Sequence, residues 1–351
     1  MGSSPLRDGS ATAKAVRIAA YLIITYLLLT LLGPVVHVLL LVFAGLLVAT
    51  FLDATTAWLA KRLKLPRKLA LALVCVLLAG ATVSFWIAVL PSLSRQVEEL
   101  GKALPLAVDR LATTLGREGW GSDLVSQIKK ADEMVSSQAA LRSATTAAGL
   151  ILGGLGSVAL VLFIGLFVAV EPGQYRRGFL RLVPVARRER FGDVIDHTVT
   201  SLQRWLLATT FAMIVVGVLS FIGLSVLGVP LAFSLAVLAA LMTFIPNVGP
   251  VIAAVPAVLL GLLASGTTAL LVAGLYLVVQ ILETYLITPL IQRKLLSLPP
   301  ALILIAQAIM AVFGGLVGVI VATPLTLVAI VVIQKLYVED RLERSGAVIE
   351  P

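Results

Sequence analysis

Residues 227–256 read LGVPLAFSLAVLAALMTFIPNVGPVIAAVP, and two apolar pieces within and just beyond them, 231–245 and 251–264, meet at Pro246-Asn247-Val248-Gly249-Pro250. As a helix each piece reaches only about 22 Å at about 1.5 Å per residue. A hydrocarbon core of about 30 Å needs roughly 20 residues. Two half-length helices around a Pro/Asn/Gly turn predict a re-entrant hairpin, or a broken helix pair, with its tip inside the membrane. Non-helical backbone is tolerated at that depth only where protein or a water-filled cavity receives it. The tip is therefore a candidate binding site, and Pro246 and Pro250 are its hinge.

The rest of the chain fits that setting. It is 60% hydrophobic and 13% charged, far from the balance of a soluble domain, and predicts an all-α, polytopic transmembrane helix bundle. Residues 1–17 form a polar N-terminal tail, and 18–90 hold three spans (18–32, 35–52 and 69–90), the first two separated by a tight turn at Gly33-Pro34. Residues 91–148 are an extracytoplasmic segment in which Leu93, Val97, Leu100, Leu104, Val108, Leu111 and Leu115 recur at helical spacing, an amphipathic signature. This segment is expected to pack on itself, on the bilayer surface or on a neighbouring subunit. Residues 149–204 carry a fourth span and a basic linker, expected to include an interfacial helix interrupted by Pro184. Residues 205–334 hold a fifth span, the opening hairpin, a full span over 267–288 and a second bent pair, 301–313 and 316–334, around Gly314-Gly315. A charged tail follows. No A-x-A-like site ends the first apolar run, so no cleavable signal is read. The one cysteine, Cys75, sits in an apolar run as a small hydrophobe and gives no disulfide framework.

Charge placement sets the expected orientation. With the N-terminus in the cytoplasm, five segments (1–17, 61–68, 171–204, 293–294 and 335–351) hold 20 of the 27 Lys/Arg. The remaining seven lie in 92–148, where seven Asp/Glu balance them. Positive residues thus mark one side, giving cytoplasmic N- and C-termini. The net charge of +9 is accordingly read as contact with anionic membrane lipids and not with nucleic acid.

Shifting the sequence by 69 positions lays the opening stretch on the second bent pair without a gap. Leu227, Pro230, Ala232, Leu235, Ala239, Phe244, Val248, Gly249 and Ala253 fall on Leu296, Pro299, Ala301, Leu304, Ala308, Phe313, Val317, Gly318 and Ala322, nine identities in 27 positions. One complete span lies between the copies, so they start on opposite sides and are inverted. Inverted repeats with interrupted helices point to a secondary transporter whose site lies where the interruptions face each other.

Few polar groups are available to that site. Two carboxylates fall within or at the edges of apolar spans. Asp53 closes the second predicted span and reads as a solvated helix-end residue. Glu283 lies inside YLVVQILETYLITP (276–289), where Tyr276, Gln280 and Glu283 at i, i+4 and i+7 share one helix face. A carboxyl group within a membrane is expensive and usually faces a cavity or partner, and one that alternates between burial and water can carry a proton. The bland reading is an interfacial Glu that pairs with Arg293 or stabilises a helix–helix contact. Asn247 offers an amide at the first tip and Gly249 permits close backbone approach. Gln307 and Thr323 offer polar contacts in the second hairpin. Gly314, Gly315 and Gly318 read as hinge or helix-packing positions. The two histidines, His37 and His197, are far apart in topology, and no H-E-x-x-H, P-loop or nucleophile elbow occurs. Ser157 has no readable catalytic partner. The expectation is a non-enzyme needing no cofactor and no metal.

At these residues the chain resembles the autoinducer-2 exporter family of bacterial membrane proteins. The carrying motifs are FIPNVGPVIAAVPAVLLGLL (244–263), QILETYLITPLIQRKLLSLPP (280–300) and GGLVGVIVATP (314–324), and the likeness covers nearly the whole chain. It implies export of a small polar signal by some members, sodium or lithium/proton antiport by others, and assembly as a homo-oligomer, a pentamer or other cyclic form. Pro246, Asn247, Gly249 and Pro250 fall on the family's hairpin signature and Glu283 on its acidic position; tyrosine often stands where this chain has Asn247. The reading is a secondary transporter exporting a small polar solute, ion- or proton-coupled through Glu283. A monovalent cation/proton antiporter, and a passive channel or non-transporting scaffold, remain open on sequence grounds.

Overall fold

In the computed structural model, residues 8–84, 87, 139–287 and 299–343 are described. Every regular element among them is helical. Most of the expected outer segment, Arg293 and the chain ends lie outside the described residues.

The first helix, α1 (Asp8–Leu63), runs without interruption through Gly33-Pro34. The turn expected there does not form. A proline removes one backbone hydrogen bond and crowds the preceding turn, but membrane helices absorb that loss where helix-forming apolar sequence continues on both sides. At Leu63 the helix ends on Lys64, which takes the left-handed conformation at φ +54°, and Pro66 then starts α2 (Arg67–Ser84). Helix α3 (Ala139–Val170) stops at Glu171-Pro172, where the residue before proline is driven out of the helical region (φ −134°, ψ 62°). The chain turns by 89° into the short, arginine-rich α4 (Pro172–Arg181), a helix within the expected linker, and Pro184 ends the connection.

Helix α5 (Arg188–Val226) is the wall shared by the C-terminal half. It ends in a Schellman motif: Val229 N–H donates to Leu224 O at 3.0 Å and Gly228 N–H to Ser225 O at 3.1 Å, with Gly228 at φ +65°, the conformation this cap requires. The first hairpin follows as α6 (Ala232–Met242) and α7 (Val248–Ala264). Ser265, whose Oγ accepts from Thr268 N–H at 2.9 Å, caps α8 (Gly266–Leu282). This helix runs into a π-helical turn, Glu283–Ile287. The last long helix, α9 (Pro300–Ile333), contains Gly315 at φ 55°, ψ −138°, outside any helical conformation. A Cβ placed on Gly318 would strike the carbonyl oxygen of Met310, although eight residues of straight helix rise about 12 Å. The chain therefore folds back at Gly315, and α9 is the second hairpin, bent where Gly314-Gly315 predicted.

Three apolar clusters hold these elements together. One joins α1, α2 and α3 through Ala49, Leu52, Leu71, Val74 and Ala169, with Cys75 against it. A second joins α1, α5 and the second hairpin through Leu40, Leu47, Leu202, Trp205, Val321 and Leu327. The third wraps α5, the first hairpin and α8 around Leu224, Leu235, Ala257, Leu260 and Val272. Asp53 is a junction and not a solvated helix end. Its carboxylate pairs with Arg67 at 2.6 Å and accepts from Gln203 Nε2 at 3.2 Å, while Arg67 also donates to the Ala169 carbonyl at 3.1 Å. Asp53 and Arg67 together thus tie α1, α2, α3 and α5.

Helices α1 and α3 cross on glycines: a Cβ on Gly45 would meet Ile164, and one on Gly165 would meet Val48 and the Gly45 carbonyl. Small residues let membrane helices approach closely. Gly165→Leu should therefore overpack the crossing, costing about 1–3 kcal/mol and lowering the thermal midpoint of the detergent-purified protein. Gly80→Leu, at a position with open space around it, should leave that midpoint unchanged.

Candidate functional site

The tip of the first hairpin meets the first arm of the second. The first hairpin reverses at Asn247 (φ 67°, ψ −47°), the centre of a γ-turn of the rare positive-φ kind closed by Val248 N–H on the Pro246 carbonyl. Gly249 lies so close to the Met242 carbonyl that a Cβ there would overlap it, and its N–H donates to Ile245 O at 2.9 Å. The repeat therefore uses its shared glycine alike in both copies: Gly249 and Gly318 each press on a carbonyl of the arm before the bend. Gly314 is packed on Leu40, and Gly315 supplies the positive φ.

From the second hairpin, Gln307 is 3% exposed and its Nε2 donates to the Pro246 carbonyl at 3.0 Å. That carbonyl also accepts from Val248 N–H at 2.8 Å, so both of its lone pairs are used. Only the amide nitrogen of Gln307 can donate to a carbonyl, which leaves Oε1 buried without a partner among the described residues. Phe244, in the F-x3-V-G motif common to both repeats, meets Trp205 edge-on with ring centroids 5.6 Å apart and packs with Met310, Val317 and Ile320 in the cluster of the second hairpin. Sequence reasoning missed Trp205, since a tryptophan at the start of an apolar run carries no signal of its tertiary partner.

Relative depth follows from the helix pairings. Gly217 of α5 packs against Ala240 of α6, and Gly223 of α5 against Leu275 of α8. The π-helical turn also touches α5, which requires α8 to run antiparallel to it. Counting down from these contacts puts Pro246 level with residue 211 of α5 and Glu283 level with residue 215, about 6 Å apart in depth at 1.5 Å per residue. Both fall in the apolar stretch of α5 between Arg204 and Val226. In the second hairpin, the pairing of Gly318 with Met310 sets Thr323 about 3 Å in depth from Gln307. Thr323 is 2% exposed, and its Oγ1 is buried and unpartnered among the described residues. Glu283 Oε2 is likewise buried without a partner among the described residues. Of these groups the structure joins Gln307 to Pro246, while the turn that Glu283 opens packs on α5 and α8.

Two expected members do not share that arrangement. Gln280 donates to Thr284 Oγ1 at 3.3 Å along its own helix. Tyr276 is buried in the cluster of the first hairpin, seven residues, or about 10 Å, from Glu283 along α8. Asn247 is exposed at the tip. Glu283 opens the π-helical turn, an irregularity frequent at functional positions. Between Arg204 and Arg293 it is the one charged residue in the sequence.

Residues 18–337 match the family described as AI-2E family transporter. The chain belongs to that family. A putative transport protein of Bacillus subtilis, YueF, is 28% identical over 306 residues, 81% of this chain and 82% of its own. A putative transport protein of Mycobacterium tuberculosis, MT0215, is 30% identical over 296 residues, covering 81% and 78%. The AI-2 transport protein TqsA of Escherichia coli is 25% identical over 280 residues, covering 78% and 79%. This AI-2E chain is accordingly a multi-pass membrane transporter.

Among the described glycines, Gly249 and Gly318 leave the least room for a Cβ. Gly249→Ala and Gly318→Ala each force a carbonyl aside, and each should cost about 1–3 kcal/mol as overpacking, lowering the thermal midpoint in detergent. Gly274→Ala, with nothing near its Cβ position, should not.

Proposed function

We propose that the chain moves a small polar organic solute outward across a bacterial cytoplasmic membrane, with proton movement through Glu283 coupled to it. The hydrogen bond from Gln307 to the Pro246 carbonyl carries this reading, because it joins the second hairpin to the tip of the first. Gln307 Oε1 and Thr323 Oγ1 offer an acceptor and a hydroxyl to a hydroxylated solute. Interrupted helices that meet at this depth are the usual setting of transporter sites, and the E. coli relative whose name specifies AI-2 transport agrees with a small polar cargo. Burying a polar solute among apolar side chains is expensive unless its groups are paired, so a site with few, well-placed partners favours a solute of similar sparseness. A homo-oligomer remains part of the proposal.

In this reading the C-terminus is cytoplasmic, as the basic residues of 61–68 and 171–204 argue. The expected cytoplasmic N-terminus depended on the Gly33-Pro34 turn. With α1 continuous and 61–68 in the cytoplasm, the opposite end of α1 lies across the membrane.

The test is uptake of labelled solute, with autoinducer-2 as first probe, into inverted vesicles carrying the purified chain. Uptake should rise with an imposed pH gradient, and Glu283→Gln should abolish that dependence while leaving counterflow. Gradient dependence retained by Glu283→Gln removes Glu283 from the coupling. A pH response to sodium or lithium alone, with no solute flux, replaces the proposal with cation antiport.

A further inference from the structure

The short helix α4 has three distinct faces. Arg176 and Leu180 face α5: the Arg176 guanidinium holds Asp196 through two hydrogen bonds, 2.9 Å from Nε and 2.7 Å from Nη2, and Leu180 packs at Gly192. Tyr175, Phe179 and Leu182, at i, i+4 and i+7, are 50%, 52% and 84% exposed and share a second face. Val185, in the turn beyond, is 76% exposed. Arg177 and Arg181 lie on the third face and Arg187 just beyond; all three are exposed and have no partner among the described residues. The other arginines at this end are engaged, Arg188 with the Val183 and Arg181 carbonyls and Arg190 with Glu339.

An aromatic and aliphatic edge set beside free guanidinium groups is the pattern of a helix lying in a bilayer interface. The 89° turn after α3 lays α4 along the membrane plane if α3 crosses it, and three arginines in ten residues exclude a spanning role. Unpaired cations at that level are complemented by anionic headgroups. Arg176 and Asp196 fix which way the helix faces, because they spend the one acid–base pair on α5 and leave the other arginines outward.

We propose that α4 and the turn after it form a docking site for the anionic leaflet, with Tyr175, Phe179, Leu182 and Val185 entering the acyl boundary and Arg177, Arg181 and Arg187 binding phosphate headgroups. The occupant is lipid. The full-length chain with Cys75→Ser and Phe179→Cys, bearing a nitroxide and reconstituted in phosphatidylcholine/phosphatidylglycerol vesicles, tests the apolar edge. The label should be more accessible to oxygen than to a water-soluble nickel chelate; the reverse shows a face in water or on another protein and overturns the proposal. Association of spin-labelled phosphatidylglycerol relative to phosphatidylcholine tests the cations. Each basic residue near an anionic surface is worth about 1 kcal/mol, or roughly fivefold. Replacing Arg177, Arg181 and Arg187 together by Gln should therefore cut that preference at least about tenfold, whereas replacing all three by Lys should retain most of it. An unchanged preference in the Gln variant overturns the headgroup site. Loss in both variants shows a need for guanidinium geometry beyond charge, which overturns binding by charge alone. If the Gln variant fails to fold, the Lys variant and the nitroxide measurement still decide.

Discussion

A chain that reverses inside hydrocarbon exposes carbonyls that no helix can satisfy, and each unsatisfied group there costs several kcal/mol. The first hairpin ends at such a carbonyl, Pro246, which accepts from Val248 N–H within its own turn and from Gln307 of the second hairpin. The rest of the C-terminal half follows from this pairing. It fixes how far the hairpin descends, seats Phe244 against Trp205, and makes the two inverted copies one unit. A glutamine is suited to the position because it leaves a second polar atom, Oε1, for another partner.

The same economy recurs elsewhere. Asp53 ties α1, α2 and α5 with one carboxylate, and its partner Arg67 adds the C-terminal carbonyl of α3. Such a partly exposed pair is worth little as an isolated contact, so its value lies in registering elements that apolar packing alone leaves free to slide. The glycines do the complementary work. Gly249 and Gly318 remove the Cβ where the backbone returns on itself, and Gly45 and Gly165 remove it where α1 and α3 cross. In a bilayer, lipid tails compete equally well for apolar side chains, so close backbone approach and a few polar ties must specify the packing.

Much of this was legible in the chain. Pro246-Asn247-Val248-Gly249-Pro250 and Gly314-Gly315 carry the breaker chemistry of tight reversals, and both reversals occur there. The registered repeat paired Gly249 with Gly318, whose environments are indeed alike. Gly33-Pro34 carries the same chemistry and yet lies inside a helix, because a breaker between two long apolar, helix-forming runs is outweighed by the cost of exposing backbone to lipid. At the site, Gln307 and Thr323 were readable as rare polar residues in an apolar run. Tyr276 was grouped with Glu283 by helix periodicity, but periodicity assigns a face and not a depth. Trp205, Gln203 and Arg67 were not readable as tertiary partners, since each contact spans elements that sequence spacing does not relate.

A transport site between the hairpins requires that the tip of the first, at depth, open onto a polar cavity and not onto lipid. In a Cys75→Ser background, the decisive quantity is the rate at which a charged, water-soluble thiol reagent modifies Asn247→Cys, set against Val278→Cys on the exposed face of α8. Modification at position 247 should be at least about tenfold faster than at 278, and slowed by transported solute, because polar backbone at this depth needs water or protein to receive it. Equal, negligible rates at the two positions would mean that lipid or another helix covers the tip, and would contradict a polar cavity there.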